Sequence, residues 1–275
     1  MSRGSERLMR SSVNEIFERM SSGLAPLPWS CPEVHWVDEL ASDGYAKPGH
    51  VFVRRSILRG DPVFCHLTVA HEVAHQWWGL RVTGSRFWTE TMAELHALDS
   101  VESHLGSEAA RIVLRCARGR LLHLLLGVAD SHYLQECEEL GRGLLAAYAW
   151  RRRFGIEATG ILAEISSGLD ASDRDALLLA SRNHEAAASL VAWSSSARTL
   201  PTPRCADGQL QDVDNTGLAT FVTVARTDDA LATRDVWLDG RVPLDPDWGI
   251  ATEQYGPVLA GDLIADHNFL AARQP

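Results

Sequence analysis

The feature that most constrains this chain is His71-Glu72-Val73-Ala74-His75. Two histidines four apart on a helix differ by about 40° in azimuth, because each residue advances roughly 100°. Both imidazoles therefore leave one face and can meet at one cation. Glu72, one step round, stands beside a water on that cation without being a ligand. The flanking residues specify a helix. Asp61-Pro62 supplies an N-cap followed by proline at the first helical position, and Gly79 ends the segment. Between these signals Val63, Leu67, Ala70, Ala74 and Trp77 recur at three and four, which gives an apolar stripe for a core. The pair of histidines is expected to ride on a buried, rigid element.

Eighteen residues separate His75 from Glu94. Thr89 is placed to cap a second helix running through Thr91, Met92 and Leu95, so Glu94 projects from ordered chain. Two histidines and one glutamate with a fourth position open to water is the catalytic zinc arrangement, whereas structural zinc sites are closed, commonly with cysteines. The five cysteines here (Cys31, Cys65, Cys116, Cys137 and Cys205) show no CxxC spacing, so neither a disulfide framework nor a cysteine zinc site is indicated. Glu90 and Asp99 are near enough in sequence to orient the imidazoles, although a solvated helix face is the ordinary reading for each.

The run His71-Glu72-Val73-Ala74-His75-Gln76-Trp77-Trp78-Gly79, with Glu94 at that spacing, resembles the zinc aminopeptidase family of aminopeptidase N and leukotriene hydrolase. Phe87-Trp88-Thr89-Glu90 is similar to the Trp-rich stretch of the family's bacterial branch. The resemblance covers residues 12 to 165 and is strong over 61 to 98. It implies a gluzincin: an α+β, thermolysin-like, mostly helical zinc metallopeptidase catalytic domain with a small N-terminal β-sheet. It also implies Zn2+ held by His71, His75 and Glu94, with Glu72 as the catalytic base.

Two family features depart from the pattern. The Gly-x-Met-Glu-Asn strand, whose Glu grips a substrate's free amine, matches Asp43-Gly44-Tyr45-Ala46-Lys47-Pro48-Gly49, and the carboxylate position falls on Ala46. The tyrosine that stabilises the oxyanion sits in a Tyr-x-Lys-Gly, which best matches Leu140-Gly141-Arg142-Gly143, so leucine stands where tyrosine belongs. Tyr133, seven residues before Leu140, is the candidate substitute. Losing one oxyanion donor typically costs about 3 to 4 kcal/mol of barrier.

Along the chain, residues 1 to 11 read as loose, and Ser11 or Ser12 as the cap of a helix ended by Gly23. Strands are expected at 33–37 and 50–55, with turns at Ser42-Asp43-Gly44 and Pro48-Gly49. Helices follow at 89–105, 107–127, 131–154, 157–166 and 172–192. The catalytic domain is expected over 12–193, a Ser-, Thr- and Pro-rich linker over 194–217, and a small β-rich C-terminal module over 218–275. Strands are expected at Ala219–Arg226 and Asp235–Leu244, the second broken by an Asp239-Gly240 turn.

With 275 residues, 45% of them hydrophobic, the chain can bury a sizeable core. Its net charge of −10 argues against a nucleic-acid partner. The longest apolar run, Leu121 to Ala129, is too short to cross a bilayer, and Met1 to Ser12 has no apolar core of a signal peptide. A cytoplasmic setting is the expectation. The leading functional expectation is a zinc-dependent hydrolase, a metallopeptidase acting on a peptide or peptide-like small substrate. Two others stay open: a repurposed zinc enzyme of a biosynthetic pathway acting on a small molecule, and a catalytically weak peptidase-derived binding protein. Oligomeric state is not encoded legibly.

Overall fold

The computed structural model describes residues 3–126, 133–167 and 185–195, together with the backbone of strands between 203 and 250. The chain divides into two compact units, Met1–Val113 with Ile156–Ala188, and Leu114–Gly155 with Ser189–Pro275.

In the first unit, helix α1 spans Arg3–Gly23. It starts well before the expected Ser11/Ser12 cap, so the N-terminal residues from Arg3 onward are helical rather than loose. Val13, Ile16 and Met20 recur at three and four and are buried, which gives α1 its core face. Strands β1 (Glu33–Val37), β2 (Gly44–Lys47) and β3 (His50–Arg54) form a sheet of order β1-β3-β2. β1 runs parallel to β3 and β2 antiparallel to it. β2 lies between the two expected turns, in a stretch where no strand was expected, and the Pro48-Gly49 turn follows it. It is held by register, with Gly44 opposite Val53 and Ala46 opposite Val51. Strand alternation sends Val34, Trp36, Ala46, Val51 and Val53 to the buried side, facing the helices.

Helix α2 spans Pro62–Ala74, and the Asp61 side chain accepts a hydrogen bond from the Val63 N–H at 2.8 Å. The capping signal read from Asp61-Pro62 is thus realised. Val69, Ala70, Val73 and Ala74 are fully buried; each valine so placed contributes about 1.5 to 3 kcal/mol of burial free energy. α2 packs against helix α3 (Arg86–Leu105) and against β2 and β3. Phe17 of α1 meets Trp77 with ring centroids 5.4 Å apart, and the Trp77 indole N–H donates to the Ala25 carbonyl at 2.7 Å. Helix α4 (Ser107–Leu126) begins in this unit, and α7 (Ile156–Ile165) belongs to it. Arg81 donates to the Ser166 and Ser167 carbonyls at 3.1 and 3.0 Å, which ties the loop after α2 to the end of α7.

The second unit holds the rest of α4, then α5 (Tyr133–Glu136), a π-helical stretch Cys137–Gly143, and α6 (Leu144–Phe154). The wide turn lies where Gly141 presses on α4: a Cβ there would come within 2.9 Å of Arg120 and 3.0 Å of the Leu121 backbone nitrogen. Helix α8 spans Glu185–Ser195, and the earlier part of the expected 172–192 helix lies outside the described residues.

Two of the C-terminal strands, β4 (Pro203–Ala206) and β5 (Gln209–Asp212), fall inside the stretch expected to be a linker and pair antiparallel. The intervening Asp207-Gly208 is a two-residue hairpin signal that outweighs the Ser/Pro composition around it. Beyond it come β6 (Thr220–Arg226), β7 (Thr233–Leu238), β8 (Arg241–Pro243) and β9 (Trp248–Ile250), in sheets of order β4-β5-β8 and β7-β6-β9. Among the described residues no helix is long and apolar enough to cross a membrane, and Cys31, Cys65, Cys116 and Cys137 form no disulfide.

Candidate metal centre

The last turn of α2 carries His71 and Glu72, and His75 is its C-cap, still in helical conformation at φ −60°. The helical spacing brings the two imidazoles together as their sequence positions require. Their ring centroids lie 4.6 Å apart at an interplanar angle of 83°. After His75 the chain turns sharply: Gly79 takes φ 105°, and its N–H donates to the Val82 carbonyl at 2.8 Å. This turn aims the Trp78 carbonyl back at the helix, where it accepts a hydrogen bond from His75 Nδ1 at 2.7 Å.

Each histidine is anchored through Nδ1 and leaves Nε2 for a common point. His71 Nδ1 lies 2.7 Å from Glu94 Oε2. On the far side of the rings, Glu90 Oε2 sits 3.1 Å from His71 Nε2 and 3.5 Å from His75 Nε2. His71, His75 and Glu90 each offer one donor atom, all within 4.8 Å of one another. The carboxylate that faces both Nε2 atoms is therefore Glu90. Glu94, the expected third ligand, stands on the other side of the His71 ring, against Nδ1.

Both carboxylates come from α3, which starts earlier than expected. Thr89 was expected as its cap, but the helix begins at Arg86 with Ser85 before it. Thr89 lies within the first turn, where its hydroxyl donates to the Arg86 carbonyl at 3.1 Å. Glu90 lies inside the helix, four residues before Glu94 and on the same face. The two carboxylates then straddle the His71 ring. Glu94 is 4% exposed, and Glu90 is half-buried at the open side. Asp99, the other candidate for orienting an imidazole, pairs instead with His96 at 3.9 Å.

Glu72 is buried, and its carboxyl packs directly on β2, in the space a Cβ of Gly44 would occupy. Burial pushes the Glu72 carboxyl up, with Glu90 and Glu94 adding to the rise while His71 and His75 oppose it. For His71, burial alone would depress the imidazole, but its bonds to Glu90 and Glu94 outweigh that and hold it well above its ordinary value. Burial would likewise raise Glu90, yet its bonds to His71 and His75 carry it far below the usual carboxylate range. Three carboxylates thus crowd two imidazoles, and this surplus of negative charge, with imidazole and carboxylate donors converging, fits a divalent cation such as zinc.

Gln76 explains why the residue after the second histidine matters. It is fully buried: its Oε1 accepts from the Gly49 N–H at 2.9 Å, and its Nε2 donates to the Lys47 carbonyl at 3.0 Å. It pins the β2–β3 turn to α2. Ala46 is buried on β2 and carries no polar group toward the helices.

Tyr133 lies in the second unit, with its ring 5.6 Å from that of His123. Burial, together with Cys137, pushes its phenol up to about 12. Leu140 lies in the π-helical stretch of that unit, and Tyr148 is buried there. His66 bonds Ser100 Oγ at 2.9 Å and His96 stacks on Trp78 with centroids 5.8 Å apart, so neither joins the His71/His75 pair.

No family model matches the chain. Over 47 residues it is 45% identical to human Aminopeptidase O, a stretch that is 17% of this chain and 6% of that protein. The chain thus matches only a small part of the length of this curated relative.

Proposed function

We propose that the chain is a zinc-dependent hydrolase, most simply a metallopeptidase that cleaves a peptide or amide bond. The observation that carries this reading is the convergence of His71 Nε2 and His75 Nε2 on Glu90 Oε2, with both Nδ1 atoms anchored, by Glu94 and by the Trp78 carbonyl. The short likeness to an aminopeptidase supports the same class. His71, His75 and Glu90 would hold the ion, in a thermolysin-like setting of helices behind a small sheet.

Zinc, when bound, polarises a carbonyl and makes its water acidic near neutral pH. The chain's own residues do the rest. Glu72, lifted toward neutrality by burial, accepts the proton of the attacking water and returns it to the departing amine. Gly44 leaves room for that carboxyl beside β2. Glu94 and the Trp78 carbonyl fix the ring orientation of the two histidines.

Zinc analysis of the purified chain should give an equivalent that is lost in His71→Ala, with chelator-sensitive cleavage of peptidyl reporters. Glu72→Gln should abolish turnover while keeping the metal. Undiminished cleavage by Glu72→Gln would rule the mechanism out. Ala46 favours a second reading, a zinc enzyme acting on a small molecule without a free α-ammonium group. Tight zinc with no cleavage of aminoacyl or peptidyl reporters would select it.

A further inference from the structure

We propose that the solvent-facing side of the β1-β3-β2 sheet carries a second divalent-cation site, built from Glu33, His35 and His50. Strand alternation sends Glu33 and His35 to one face of β1, away from the buried Val34 and Trp36. The parallel register sets His50 of β3 directly opposite Glu33. Three donor side chains thus come from adjacent, hydrogen-bonded strands rather than from a mobile loop. This cluster shares no residue with the helix centre.

The distances suit coordination. His35 Nε2 lies 3.1 Å from His50 Nδ1, and Glu33 Oε2 lies 3.9 Å from His35 Nε2. One donor atom from each residue falls within 4.8 Å of the others. With metal–nitrogen bonds of about 2.0–2.1 Å, nitrogens at that separation subtend roughly 100° at a shared ion, which is a normal ligand angle. Without a cation, one ring must donate its N–H to the other; a cation takes the place of that proton and uses both lone pairs. The exposed Glu33 carboxylate is free to swing inward.

The rings are also held in place. His35 stacks on Phe52 at 4.7 Å and 19°. The nearest lysine, Lys47, stands opposite His50 on β2, but its Nζ lies over the Tyr45 and Phe52 rings at 5.7 and 5.8 Å, which draws its charge to the aromatic faces. Two imidazoles and one carboxylate on an open surface select Zn2+, Ni2+ or Cu2+ over the hard cations Ca2+ and Mg2+, with remaining positions filled by water or an incoming ligand.

The test is stepwise addition of Cu2+ to the full chain, followed by backbone amide spectra, because paramagnetic broadening reports position as well as binding. Amides of 33–37 and 50–52 should broaden below one equivalent, and should still do so in His71→Ala, which separates this site from the helix centre. In a His35→Gln, His50→Gln double variant that broadening should vanish while the rest of the spectrum stays native. Ni2+ titration of the same variant should show affinity at this site falling by more than about tenfold. Broadening that persists in the double variant, or that fails to reach these strands with His71 replaced, overturns the proposal.

Discussion

Glu94 Oε2 stands 2.7 Å from His71 Nδ1, the ring nitrogen that faces away from His75. Glu90, one turn earlier on α3, faces the other nitrogen at 3.1 Å. The His71 ring is gripped from both sides, and the proposed zinc site gives the two carboxylates different tasks. Removing a ligand takes away a bond to the ion, whereas removing an orienting group loosens a ligand that remains. Glu90→Gln should therefore cost the greater part of zinc affinity, and Glu94→Gln about 10- to 100-fold. Competition against a chromophoric chelator measures both. If Glu94→Gln proves the more damaging, Glu94 is the ligand and Glu90 the support.

Gly44 makes a sharper claim about geometry. Any side chain there occupies the space of the Glu72 carboxyl, so Gly44→Ala must displace that group or bend β2. The histidines and Glu90 are elsewhere and should keep their arrangement. We expect zinc content to be unchanged and kcat to fall about 100-fold, the typical effect of misplacing a reacting group by about 1 Å. Wild-type kcat in Gly44→Ala would show that Glu72 does not work from this position.

Gln76 is tested by stability rather than by rate. It is fully buried and satisfies the Gly49 N–H and the Lys47 carbonyl together. Gln76→Ala removes both hydrogen bonds, each worth about 0.5 to 1.5 kcal/mol where water can reach the groups left behind. A loss of about 1 to 3 kcal/mol in urea unfolding is expected, with β2 the segment that loses amide protection first. A loss below about 0.5 kcal/mol would mean that the turn is held by other contacts.

What was legible in the chain was the part specified locally. Asp61-Pro62 predicts where α2 starts, and the i, i+4 spacing of His71 and His75 predicts that their rings meet. The third ligand was harder. Eighteen residues of spacing point to Glu94, which α3 does bring to His71; that Glu90, four residues earlier, faces the two Nε2 atoms depends on how α3 packs on α2, which spacing along the chain does not encode. Thr89 misled because threonine caps helices and also sits in first turns, where its hydroxyl bonds a carbonyl behind it. β2 was missed because Gly44, Pro48 and Gly49 read as turn residues; the strand is secured by its pairing with β3 and by Gln76, both contacts distant in sequence. The π-helical stretch at Cys137–Gly143 has no local signature beyond Gly141, whose need for a bare Cα comes from α4.

His66 supplies a pH dependence of folding. It lies 4% exposed on α2, its Nε2 2.9 Å from Ser100 Oγ and its ring 5.0 Å from that of His104, which in turn faces Glu15 at 3.6 Å. Burial, with help from the neighbouring His104, lowers the His66 imidazole to about 4, against 6.5 in a free side chain. Above pH 6.5 the ring is neutral whether the chain is folded or not, and contributes no pH slope. Between about 6.5 and about 4 the unfolded chain takes up a proton that the folded one refuses, so stability falls as pH falls. The full loss approaches about 3 kcal/mol by the lower end. Replacing His66 with Gln, which keeps a donor for Ser100 but cannot charge, should flatten this part of the stability–pH curve and leave the region above 6.5 with no slope from this group. Urea midpoints at pH 7.5, 6 and 5 for the two proteins measure it. An equal decline in both would place the proton uptake on other groups.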